Sequence, residues 1–105
     1  MIAVSEINDA YHELNRTQRG AYLQAERAIQ AKANLEIKLL HRLADGSIEG
    51  KNQQLRDAAA LVLLADDYAA LEIAEADSRA AKLELDLAWT EVNRIKALLR
   101  LAELD

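Results

Sequence analysis

The chain has 105 residues and a net charge of −5, with thirteen Lys and Arg against eighteen Asp and Glu, and it lacks proline and cysteine. The length fits one domain, the missing cysteines exclude disulfide and thiolate chemistry, and the acidic balance argues against a general nucleic-acid binder, which needs a basic surface to displace counterions. Apolar residues make up 51% but aromatics only 4%, so the apolar share is mostly Ala and Leu. With Glu, Lys, Arg and Gln these are strong helix formers, and an all-α fold follows.

The first residues, Met1 to Glu6, lack the basic region and apolar core of a signal peptide. Ser5 precedes a periodic run with Glu6 and Asp9 in its first turn, where acids meet free amides and the positive end of the helix dipole. A 3–4 spacing then runs Ile7, Tyr11, Leu14, Gln18, Ala21, Ala25, Ala28, Lys32, Leu35 and Leu39, a heptad-like seam on which Gln18 and Lys32 are polar interruptions. A second stripe through Tyr22, Ile29, Leu40 and Leu43 lies beside it. This predicts a helix over residues 5–44, about 60 Å long, with Gly46 placed for a left-handed cap.

Residues 45–51 read as a turn and Asn52 as the cap of a short helix over residues 52–65. Its apolar residues cover more than one face and need to be covered. The longest apolar run, residues 58–65, falls far short of the ~20 residues that cross a bilayer, so a cytoplasmic protein without membrane contact is expected. Asp66-Asp67 either caps a fresh helix or lies at a kink. Over residues 67–104 the apolar positions are Leu71, Ile73, Ala76, Ala80, Leu83 and Leu87, then Val92, Ile95, Leu99 and Ala102, with a slip after Leu87.

The predicted architecture is an antiparallel, coiled-coil-like helical hairpin, a single domain over residues 1–105. Folding at Gly46 and Gly50 brings Leu35 and Leu39 opposite Leu55 and Leu61, and Ala21 near Ala76. Ile95, Leu98, Leu99, Leu101 and Leu104 then overhang the first helix, and leucines on several sides of a helix end are poorly suited to water. Self-association into a bundle follows, most simply as a homodimer. These five residues and Trp89, a natural anchor, are the candidate interface.

No set of residues for catalysis is found. The Gly50-Lys51-Asn52 helix start lacks the glycine spacing, the hydroxyl after Lys and the preceding strand of a nucleotide-binding loop. Gly50, Lys51, Asn52 and Arg56 are still candidate contacts for an anion or carboxylate at free helix amides, the alternative being a cap with solvated charges. His12 and His41 lack partners for a metal set. Glu72–Glu75 and Glu84–Asp86 read as solvated pairs near Lys82 and Arg79. No catalytic residue, cofactor or metal is assigned.

Ile48, Gly50, Lys51, Asn52, Arg56 and Ala58 form the pattern Ile-x-Gly-Lys-Asn-x-x-x-Arg-x-Ala. With the Leu-rich, Asp-Asp-Tyr-containing helix that follows, the second half of the chain resembles small uncharacterised α-helical proteins of phages and prophages. The first half is similar to them in layout, as a long helix. Those proteins typically carry a proline near Asp67, and its absence here favours a continuous helix. The resemblance implies a phage-encoded, non-enzymatic accessory factor acting through contacts with another protein. The alternatives are a module binding single-stranded nucleic acid or a small nucleotide through Gly50–Arg56, and an inhibitor of a host defence enzyme.

Overall fold

The computed structural model describes residues 1–104. It is all-α: α1 spans Val4–Ala44, α2 spans Gln53–Leu63 and α3 spans Ala65–Leu104. The expected helical hairpin is present, with α1 and α3 as its arms. Contacts gather into two units, Met1–Gln24 with Ser78–Asp105, and Ala25–Asp77.

The start of α1 lies one residue before the expected one. The Ala3 carbonyl accepts from the amides of Glu6 and Ile7 at 3.1 and 3.3 Å, and Glu6 Oε1 reaches back to the Ala3 amide at 3.5 Å. Those contacts satisfy free amides at the helix start. At the other end the Ile48 amide donates to the Arg42 carbonyl at 3.2 Å, with Gly46 at φ +79°. That bond spans seven residues, and with the Gly46 amide donating to the Leu43 carbonyl at 3.4 Å and the left-handed glycine it satisfies carbonyls of the last turn.

α2 and α3 part at Leu64, just before the expected Asp66-Asp67. Leu64 has φ −113° and ψ 31°, yet its amide still bonds the Ala60 carbonyl at 2.8 Å, and its own carbonyl accepts from Tyr68 at 3.0 Å. The interruption is therefore confined to one residue whose side chain is buried. The absence of proline does not keep the helix continuous. Asp66 and Asp67 occupy the first turn of α3, where carboxylates are favoured by the dipole.

The first unit has a core of Ala10 and Leu14 from α1 and Ala88, Val92 and Ile95 from α3, with Ile2, Ile7 and Leu85 packed against it. In the second unit Leu35, Ile48, Ala60 and Leu64 are buried, and Lys38 pairs with Asp67 at 2.5 Å. The register of the seams differs from the sequence expectation. On α1 the covered residues include Ile7, Ala10, Leu14, Thr17, Ala21, Gln24, Ala28, Ala31 and Leu35, with Ala25 and Leu39 of the expected seam also partly covered, while Tyr11, Gln18 and Lys32 are exposed. On α3 they are Leu71, Ala74, Ser78, Ala81, Leu85, Ala88, Val92 and Ile95, a 3–4 alternation with no slip. Ile73, Ala76, Ala80, Leu83 and Leu87 face solvent instead.

The inward faces are thus rich in small residues, which let helix axes approach closely, and polar Gln18 and Lys32 drop out of the seam. Thr17, the one buried polar residue among the described residues, is satisfied within α1, its hydroxyl donating to the Glu13 or Leu14 carbonyl at 2.9 and 3.0 Å. Ile95, expected to overhang, is only 2% exposed, because α1 residues Ala10 and Leu14 reach its level.

Ile95→Ala is expected to cost about 2–5 kcal/mol of stability by leaving a cavity, whereas Leu87→Ala, at a residue 62% exposed, should stay within about 0.5 kcal/mol. Urea unfolding of dilute protein measures both; equal costs would contradict the inward register.

Candidate functional site

The turn residues Gly50, Lys51, Asn52 and Arg56 are brought together, but chiefly on one another. Asn52 is the cap of α2, its Oδ1 accepting from the Leu55 amide at 3.0 Å, and its carbonyl accepts from the Arg56 amide at 3.2 Å. The Arg56 guanidinium folds back over the turn, donating to the Gly50 carbonyl at 3.5 Å and to Gln53 Oε1 at 3.3 Å. A Cβ on Gly50 would lie 2.7 Å from Leu55 Cβ and 2.9 Å from the Arg56 nitrogen, so glycine is required there by close backbone approach. Three of the four residues therefore build the turn. Lys51 is exposed and supplies only a mobile charge.

Asp45 closes the other side of this loop. Its Oδ1 accepts from the Ser47 amide at 2.8 Å and from the Ser47 hydroxyl. These bonds hold its carboxyl below the ordinary value of 3.8, with a smaller contribution from the nearby Arg42 and His41 charges. Beside it a shallow cavity of about 390 Å³ is lined by Lys38, His41, Arg42, Asp45 and Asp67 with Leu63 and Leu64. Its cations suit the negative C-terminal end of α1. Among the described residues no group of three His, Cys, Asp or Glu side chains converges as a metal set.

The candidate interface residues divide. Ile95 is committed to the core of its own chain. Trp89, Leu98 and Leu99 are 40%, 39% and 38% exposed, and Leu101 and Leu104 are 60% and 82%. Met1, Ile2, Leu98, Leu99, Leu101 and Ala102 line an open groove of about 480 Å³ whose charged members are Glu6 and Arg94. The overhang is consequently smaller than expected, with Leu98 and Leu99 sharing this groove with Ile2.

Sequence reasoning placed Ile73, Leu83 and Leu87 on the inner seam, and they are 62%, 60% and 62% exposed. With Ala76 and Ala80 they form a second 3–4 row on α3, open to solvent. α1 has its counterpart in Val4, Tyr11, Tyr22, Ile29 and Leu40, all exposed and separated alternately by seven and eleven residues. At about 100° per residue those steps return to nearly the same direction. The stripe through Tyr22, Ile29 and Leu40 was visible in the sequence; its exposure was not. Around these rows a few surface charges are paired. Arg16 bonds Glu13 at 2.5 Å and lies 3.7 Å from Glu84, and Arg94 bonds Glu91 at 2.7 Å. Those bonds hold the Glu13 and Glu91 carboxyls below their ordinary range.

Gly50→Ala should destabilise by about 1–3 kcal/mol through the backbone shift it forces, and Asn52→Ala by about 1 kcal/mol as a lost cap. Lys51→Ala should change stability by less than about 0.5 kcal/mol. Thermal or urea unfolding gives all three, and an unperturbed Gly50→Ala protein would overturn the close-approach reading. For Asp45 the folded value is depressed, so its contribution is complete above pH 3.8 and is lost as pH falls through the depressed value. Asp45→Asn should therefore flatten the acid limb of the stability–pH curve while leaving its neutral shape unchanged.

Comparison with protein-family models, with curated proteins and with solved structures gave no match to this chain.

Proposed function

We propose that the protein is a non-enzymatic helical interaction protein that works as an oligomer and engages its partners through helix faces. The observation carrying this reading is that each long helix bears a second apolar row besides its buried one. On α3 it runs Ile73, Ala76, Ala80, Leu83 and Leu87, and on α1 Val4, Tyr11, Tyr22, Ile29 and Leu40, every one of them exposed. A 3–4 apolar row such as that of α3 is what a coiled coil or bundle buries against a neighbouring helix, and the sparser α1 row presents its residues in nearly one direction. Rows of this length in water favour association over the isolated chain. The exposed Trp89 and the leucines at Leu98–Leu104 add to the same surface supply.

The resemblance of the Ile48–Ala58 pattern supports a phage-encoded accessory factor of this kind. The turn residues support a structural role, since Arg56 and Asn52 satisfy the loop itself. A ligand there would have to displace Arg56 from the Gly50 carbonyl.

Sedimentation equilibrium from micromolar to millimolar concentration should show mass rising above the monomer's 11.7 kDa, with helix content unchanged or increased. A strictly monomeric, fully helical protein over that whole range would remove the oligomeric reading.

A further inference from the structure

The outer row of α1 is self-complementary around Tyr22. Tyr22 is 66% exposed and Ile29 62%, with Asn15 and Ile29 each seven residues from Tyr22 on opposite sides. Arg19 and Glu26 are also seven residues apart, so they lie on one flank of this row. Neither takes part in an ion pair among the described residues. We propose, building on the oligomeric reading above, that a second copy of this chain packs its α1 antiparallel against this row, with the twofold axis at Tyr22.

In that arrangement Tyr22 meets its own symmetry mate, and Asn15 lies opposite Ile29 of the other copy. Arg19, three residues before the axis, falls beside Glu26, four residues after it. The symmetry repeats the pair, so both charges on each α1 are matched. An antiparallel pair related by this axis sets each flank against the same flank of its mate. On α3 one flank of the outer row carries Asp77, Glu84 and Glu91 and the other Glu72, Arg79 and Asp86, each file in seven-residue steps. α1 offers Arg19 and Glu26, one charge of each sign at matching heights and outside the ion pairs of the described residues.

The test uses charge reversal at exposed positions, where folding is undisturbed and helix content can be checked by circular dichroism. Arg19→Glu and Glu26→Arg should each raise the dimer dissociation constant by about tenfold or more, and the double variant should restore it. Leu83→Asp on α3 should leave it within about twofold. Since the chain has no cysteine, Tyr22→Cys gives a single attachment point that a short bifunctional maleimide should bridge between copies. Asn15→Cys should not be bridged, because its symmetry mate is fourteen residues distant along the axis, about 21 Å. A dimer indifferent to Arg19 and Glu26, dependent on Leu83, or bridged equally at both cysteines overturns this face and leaves the oligomeric reading standing. A protein that never dimerises removes both.

Discussion

The structure depends on the close contact of two small-residue helix faces. The inward rows of α1 and α3 interleave Ala with larger apolar residues, among them Ile7, Leu14, Leu85, Val92 and Ile95 in one unit and Leu35 and Leu71 in the other. Alanine adds no side-chain entropy cost and favours the helix itself. It also buries little area, so each contact contributes little. Among the described residues, nine apolar residues and Thr17 are buried, a modest core for a chain of 105 residues. The long helices are held by many weak contacts instead of a compact centre, and what the seam leaves uncovered remains available to other helices.

The turn turns that seam into a hairpin by local chemistry alone. Gly46 takes a left-handed conformation, Ile48 is buried, and Gly50 lies against the first turn of α2. Asn52 and Arg56 then close the loop from the far side. The Gly-Lys-Asn-x-x-x-Arg pattern is explained almost wholly by this architecture. One residue brings the backbone close, one caps a helix and one ties guanidinium to carbonyl. Lys51 is the member with no structural task.

Charge distribution complements the apolar rows. Arg16 and Arg94 are held by carboxylates one helical turn away on their own helices, and such exposed pairs contribute little to stability. Their value is in selecting neighbours, since like charges brought together on an approaching helix are penalised.

Helix formation and the position of the bend were legible in the sequence because they arise from local signals: Ala and Leu content, the residue pattern around Gly46, and Asn52 before an apolar run. A break near Asp66-Asp67 was one of two readings left open by the sequence, and the structure has it at Leu64. Which row faces inward was not legible. On α1, Tyr11, Gln18 and Lys32 differ from Ala10, Thr17 and Ala31 by one position, about 100° of rotation, and both rows share Ile7, Leu14, Ala21, Ala28 and Leu35. On α3 the bulkier row, Ile73 with Leu83 and Leu87, would win on hydrophobicity alone. Tertiary packing chose the smaller one, since helices that approach closely have no room for tyrosine or leucine at every level. The same choice leaves the larger residues outside, where the folded chain offers them no neighbour.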